Sequence, residues 1–180
     1  MAKKKRVNPR RKPANHVDIA DVKQEAQDKS ISEGIALFLT VMKDKRDASI
    51  EDITRIWEAV NILSEKVSGN GDLLLDMVDN LKKDCGIEID LVMVPHHIHK
   101  GVTLADVLIA KKKARQRAIN LSAALFLTVM KDTEHWGNDD LKWLQAEMMD
   151  LQDSINKGYI TAQDLYQVLD EEYQIEVKVL

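Results

Sequence analysis

Three histidines near the middle of the chain are the side chains best suited to bind a transition metal: His96, His97 and His99. Histidine is a common ligand of both Zn²⁺ and Ni²⁺. Histidines this close together in a linker seldom reach one ion in good geometry without help from distant ligands. The other donors of similar type are His16, His135 and Cys85. We interpret the three histidines as weak metal candidates in a polar linker, and we predict no cofactor.

Carboxylates recur at three pairs of positions that are 88 residues apart: Asp52/Asp140, Asp76/Asp164 and Glu88/Glu176. A helical-bundle hydrolase would need such acids clustered around Mg²⁺. Two of them, Asp52 and Asp164, stand instead where helix caps are expected. The sequence also lacks a glycine-rich phosphate loop and a G-x-S-x-G motif. We predict that the protein is not an enzyme and has no catalytic residues.

The segment 153–164 has the outline of a calcium-binding EF-hand loop, with Gly158 at its sixth place and an acid at its twelfth. The third and fifth places, however, hold Ile155 and Lys157, where oxygen ligands are required. A helix break followed by a capped helix start explains the same residues, so the sequence predicts no calcium site.

Positive charge is concentrated in two segments of an otherwise acidic chain. The first 13 residues hold seven Lys and Arg without an acid, and the net charge of −4 for the whole chain leaves −11 for the rest. A second cluster spans 111–117. Such segments can neutralise the phosphates of a nucleic acid, with an affinity that falls steeply with salt. The candidate contact residues for nucleic acid or a partner are Lys3, Lys4, Lys5, Arg6, Arg10, Arg11, Lys12, Lys111, Lys112, Lys113, Arg115 and Arg117.

An internal repeat organises the elements that would position these residues. The nine residues Ala36–Asp44 recur without a change as Ala124–Asp132, and Ile31–Val92 aligns without a gap with Ile119–Leu180. Each nine-residue stretch begins with an almost uninterrupted apolar run, which is typical of a helix buried on most sides. We therefore predict a tandem duplication in which this stretch forms the core helix of each half. Three extra residues enter the second half within or beside 111–117.

Each half is expected to contain a long helix, a second helix, a short helix and a short strand. In the first half we predict a helix from about Asp18 to Asp44, followed by a helix cap at Ser49 with Asp52 and a second helix around Ile53–Val67. A third helix is predicted around Leu74–Leu81 and ends at Gly86, and a strand is predicted at Ile87–Leu91. The predictions for the second half are a cap at Asn138, a helix through Leu141–Ile155 and a break at Lys157–Gly158. A cap at Thr161 then begins a short helix through Leu165, Val168 and Leu169, and a strand follows at Ile175–Val179.

The predicted fold is mainly α, with the two units packed in pseudo-twofold symmetry as one compact domain. The two strands could pair as a small ribbon. The expected division is a basic flexible arm at 1–16, a first repeat at 17–93, a linker at 94–101 and a second repeat at 102–180. No apolar run approaches the roughly 18 residues of a membrane span. One cysteine excludes an intramolecular disulfide and fits a reducing cytosol, so we expect a cytoplasmic protein.

Several short motifs resemble those of small prophage proteins of Gram-positive bacteria. They are Val7-Asn-Pro-Arg-Arg11, Ala20-Asp-Val22, Gly158-Tyr-Ile160 and Leu169-Asp-Glu-Glu-Tyr173. Proteins of that kind are usually single units without an assigned function. The second half departs from the pattern, because His96-His-Ile-His99 stands where the Asn-Pro-Arg-Arg opening would recur. The resemblance implies a phage origin and a bacterial host, and it supplies no functional residues.

Two functions are compatible with these features. The first is a regulator or inhibitor that binds a host protein, since an acidic helical body can mimic DNA toward a basic enzyme. The second is a nucleic-acid-binding accessory protein that uses the basic arm and the 111–117 cluster. Against the second, residues 134–176 hold eleven acids and two bases, which would repel a duplex lying along them. We therefore favour the hypothesis that the protein binds a host protein. We predict no contact with a membrane, and the sequence does not indicate the oligomeric state.

Overall fold

The computed structural model describes residues 19–68, 70–91 and 103–173, and over these residues the protein is mainly α-helical and has no strand. The described helices are α1 (Ile19–Arg46), α2 (Ile50–Ser68), α3 (Gly71–Cys85), α4 (Leu104–Asp132), α5 (Asn138–Asn156) and α6 (Ala162–Tyr173). Each half therefore has a long, a medium and a short helix in that order. The predicted helical class is confirmed.

The two long helices form the centre of the molecule, because α1 packs more extensively against α4 than against any other helix. Phe38 and Phe126 are fully buried and stack face to face, with ring centroids 3.8 Å apart and planes 13° apart. One turn earlier, a Cβ added to Gly34 would lie 2.7 Å from Cβ of Ser122. Glycine at this position thus lets the two backbones approach closely. Each pair joins residues that are 88 positions apart in the sequence.

The shorter helices cover this centre with their apolar faces. The helix α3 contacts α4 and α5, whereas α6 contacts α1. The short helix of each half therefore packs on the long helix of the other half. One continuous hydrophobic core results, and its largest fully buried aliphatic side chains are Leu37, Ile56, Leu81, Ile87, Leu127, Met130, Leu141, Leu144 and Leu169.

Local hydrogen bonds fix where several helices begin and end, as the sequence predicts. The Asp52 amide donates to Ser49 Oγ at 3.1 Å at the start of α2. At the start of α6, the Asp164 amide donates to Thr161 Oγ1 at 3.2 Å, and the Thr161 amide donates back to the Asp164 carboxylate at 2.7 Å. After α3, Gly86 has φ +67°, a left-handed conformation that glycine adopts without steric cost.

The predicted cap at Asn138 is wrong. The cap residue of α5 is Gly137, which offers no side-chain hydrogen bond, and Asn138 is the first helical residue. Asn138 Nδ2 instead donates to the carbonyl oxygen of Asp84 at 2.9 Å. A tertiary contact with the last turn of α3 thus replaces the local cap, while Asp139 and Asp140 place negative charge at the positive end of the α5 dipole.

The predicted strand at Ile87–Leu91 is also wrong, since these residues are neither strand nor helix. Their burial nevertheless alternates, with Ile87 buried and Glu88 and Asp90 exposed. The carbonyl groups of Glu88 and Asp90 accept hydrogen bonds from side chains rather than from a neighbouring strand. The second predicted strand at 175–179 lies outside the described residues, and so do the arm at 1–16 and the linker at 94–101. In the described part of the chain, no helix combines the length and apolarity needed to cross a membrane.

Candidate functional site

The predicted metal candidates lie outside the described residues, as do the basic residues of the arm. This holds for His96, His97 and His99 and for the seven basic positions between Lys3 and Lys12. Over 19–68, 70–91 and 103–173, no three His, Cys, Asp or Glu side chains converge in a way that could hold a metal ion.

The second basic segment is on α4, and its five cations have different surroundings. Lys112 and Lys113 are exposed, whereas Lys111 and Arg117 are half-buried. These four make no ion pair within the described residues. The fifth cation, Arg115, faces α1 and donates two hydrogen bonds to the Glu33 carboxylate at 3.1 and 2.5 Å. Arg115 is therefore engaged by the fold, whereas the other four cations have no ion-pair partner in the part of the chain that the structure describes.

Glu33 belongs to a buried polar group at the junction of α1, α4 and α6. Its side chain is only 6% exposed, so the ion pair with Arg115 offsets the cost of burying the charge. The phenol oxygen of Tyr166 is buried nearby without a hydrogen-bond partner in the described structure. Burial and the neighbouring Glu33 charge raise the pKa of Tyr166 to about 12, against an opposite effect of Arg115. The phenol is thus held neutral in a packing role.

A cleft of about 240 Å³ opens between α4, α5 and the segment 88–90. Its apolar side chains come from four parts of the chain: Leu37, Ile89, Ile119, Ala123, Met148 and Met149. The helix α1 supplies Leu37 at the floor, and 3/4 spacing on α5 brings Met148 toward the core while Met149 is left 60% exposed. Methionine is flexible and polarisable, and it suits surfaces that bind irregular partners.

Side-chain amides form much of the polar rim of this cleft. Asn120 Nδ2 donates to the Asp90 carbonyl at 2.6 Å, and Gln145 Nε2 donates to the Glu88 carbonyl at 3.3 Å. Gln116 Nε2 donates in turn to Asn120 Oδ1 at 2.9 Å. Residues of α4 and α5 therefore hold the non-helical segment after α3 by its backbone.

The charged groups of the rim are both acidic. The Glu88 carboxylate lies 2.8 Å from Lys82 Nζ, and this hydrogen bond and charge hold its pKa below the ordinary value. The Asp90 carboxylate makes no ion pair within the described residues. No Lys, Arg or His from the described part of the chain lines the cleft. The rim is consequently negative over an apolar floor.

Sequence reasoning missed this cleft because its lining residues are up to 115 positions apart, from 37 to 152. A partial indication was present in the Met148-Met149 doublet, where one of two adjacent large apolar residues must point away from the core of a helix.

At the end of α1, an arginine contacts two tryptophans and an aspartate of the same chain. The Arg46 guanidinium lies over the rings of Trp136 and Trp143, 4.8 and 4.4 Å from their centroids, and forms an ion pair with Asp140. In cation–π contacts of this type, the face of an aromatic ring attracts the positively charged guanidinium group. The cluster attaches the end of α1 to α5 and the loop before it.

Comparison with known proteins finds no similar protein or structure. No protein-family model, no curated protein and no solved structure matches this chain.

Proposed function

We propose that this protein is a non-enzymatic binding protein that regulates or inhibits a host macromolecule by protein–protein contact, with the α4/α5 cleft as part of its contact surface. The observation that carries the proposal is the combination of an apolar floor, an amide and carboxylate rim, and the exposed Met149. The volume of about 240 Å³ falls below the roughly 300–1,000 Å³ of small-molecule pockets. It suits one or two side chains of a protein partner.

The chemistry of the rim supports a binding role over catalysis. A carboxyl group that acts as a general acid near neutral pH needs a raised pKa, which burial usually provides. The Glu88 pKa is instead lowered by Lys82, and the Glu88 side chain is 75% exposed. Asp90 is exposed as well.

A phage origin, action in the cytoplasm of a bacterial host and a duplicated architecture are part of the same proposal. The stacking of Phe38 on Phe126 and the close approach of Gly34 to Ser122 support the duplication, since residues related by a twofold axis meet on that axis. The two halves differ at the position of Met149, because the equivalent residue of the first half is Asn61.

The test is capture of a partner from a bacterial lysate treated with nuclease, using the full chain and two matched variants. Met149→Glu places a charge at the mouth of the cleft, and Leu75→Glu places the same charge on α3 at a residue of equal exposure, 59% against 60%. We expect the captured protein to fall at least tenfold with Met149→Glu and to stay unchanged with Leu75→Glu. Equal capture by both variants would refute the role of the cleft.

A second candidate function, nucleic-acid binding, is favoured by the four cations of α4 that have no ion pair in the described part of the protein: Lys111, Lys112, Lys113 and Arg117. Together with the arm they could neutralise several phosphates, and affinity would then fall steeply with salt. Deletion of residues 1–13, or replacement of Lys111–Lys113 by glutamine, should then weaken duplex binding and reduce its salt dependence. Met149→Glu should leave duplex binding almost unchanged.

A further inference from the structure

Side chains that line the cleft already hold one stretch of peptide backbone, the wall segment 88–90, by hydrogen bonds. Two carbonyl oxygens of this non-helical segment accept hydrogen bonds from Asn120 on α4 and Gln145 on α5, at 2.6 and 3.3 Å. The amide of Asn120 is oriented by Gln116. This surface therefore has the groups needed to bind a chain whose backbone is unpaired.

The amides of the cleft have capacity left after these contacts. A carboxamide has two N–H donors and an oxygen with two lone pairs. Gln116 and Gln145 each use one donor, and Gln152 has no hydrogen bond among the described residues. The backbone groups of a helix are satisfied within the helix, whereas an extended segment still has N–H and C=O groups to pair. The remaining amide groups consequently favour an extended ligand.

The charges of the cleft define a second property of the ligand. Glu88 and Asp90 line it without a basic residue from the described part of the chain, and Glu88 is already paired with Lys82. The Asp90 carboxylate is the one without an ion pair there. A lysine or arginine on the ligand would complement this surface.

From these observations we infer that the cleft binds an extended peptide segment of a protein partner, which inserts one long apolar side chain between Ile89 and Met149 and places a lysine or arginine beside Asp90. This inference rests on the proposed function and adds the conformation and charge of the segment. Amides of Gln116, Gln145 and Gln152 pair with its backbone, and Met149 covers the inserted side chain.

The probe is a displayed library of random heptapeptides, selected on the full chain with Leu75→Glu as a parallel bait and Met149→Glu as the negative bait. We expect enriched peptides to contain Met, Leu or Ile next to Lys or Arg. For the strongest peptide, changing that basic residue to Glu should weaken binding at least tenfold on the full chain. On Asp90→Asn the same change should matter less than threefold.

Backbone recognition is measured separately with the same peptide, N-methylated at alternate residues. Because methylation removes the N–H donors, the affinity of an extended ligand should fall at least tenfold for one of the two methylation patterns. Binding that is indifferent to both patterns, or that turns the peptide helical by circular dichroism, would overturn the extended segment. Absence of any enriched peptide would overturn it as well.

Other occupants of the cleft would give distinct results. If deletion of residues 174–180 strengthened peptide binding tenfold or more, the end of the chain itself would be the occupant. A dimer that dissociates in Met149→Glu, seen by sedimentation, would identify a second copy. Either result would overturn the inference. If Met149→Glu still abolished capture of the lysate partner, the proposed function would stand while the inference failed.

Discussion

The stacked pair Phe38 and Phe126 provides the sharpest test of how the two halves are held together. Both rings are fully buried, with centroids 3.8 Å apart. Replacement of either phenylalanine by alanine should cost about 3–5 kcal/mol, because the lost burial adds to the cavity that remains. For a chain of this length, 1 kcal/mol shifts the melting temperature by roughly 2–4 °C. Each single variant should therefore melt about 10 °C lower.

The coupling between the two rings is measured by a double-mutant cycle. Since both single changes to alanine are costly relative to a stability of roughly 5–15 kcal/mol, the cycle uses leucine, whose replacement of a buried phenylalanine should cost about 1.5 kcal/mol. A stacked aromatic pair should contribute about 0.5–1.5 kcal/mol beyond its buried area. The free energies of unfolding would come from urea titrations of Phe38→Leu, Phe126→Leu and the double variant.

The control is Leu75→Ala on α3, where the side chain is 59% exposed. It should change stability by less than about 0.5 kcal/mol. Near-normal melting of Phe38→Ala and Phe126→Ala, or strict additivity in the leucine cycle, would refute a core shared through this pair.

Three further outcomes follow from the contacts around this core. Gly34→Ala should lower stability by about 1–2 kcal/mol in thermal melts, since the clash with Ser122 exceeds the roughly 1 kcal/mol that alanine gains in a helix; adding Ser122→Gly should recover part of it. Arg115→Met should cost about 2 kcal/mol by urea unfolding, because Glu33 is left buried without its donor, and the double change with Glu33→Met should recover most of this loss. The neutral Tyr166 phenol contributes stability that is complete below its ordinary pKa of 10 and lost as pH rises toward about 12. Tyr166→Phe should therefore stay helical to higher pH in circular dichroism.

Much of the fold could be predicted from local sequence. Long apolar runs, 3/4 spacing and capping residues placed the helices α1, α2, α3, α5 and α6 to within a few residues of their bounds. These features act through contacts within a few positions, such as the hydrogen bonds from Asp52 to Ser49 and from Asp164 to Thr161. The repeat of Ala36–Asp44 also indicated which segments would be buried, because a helix that is apolar on most sides must be packed against other parts of the protein.

Other features depend on residues that only the tertiary structure brings together. Asparagine is a residue type that often caps helices, yet the Asn138 side chain donates a hydrogen bond to the last turn of α3. Gly137 is the cap residue of α5 and provides no side-chain hydrogen bond. The alternation at 87–91 predicted which residues are buried. It did not predict their backbone partners, because the amides that hold Glu88 and Asp90 come from α4 and α5.

The candidate site follows the same division. Composition identified Lys111–Arg117 as a basic segment, but the Arg115 pair with Glu33 depends on how α4 crosses α1. The cleft could not be read from the sequence because its floor, rim and exposed Met149 come from segments that meet only in the folded chain. Local hydrogen bonding and apolar spacing determined the helices of this protein. The packing of distant side chains decided which polar groups line the cleft.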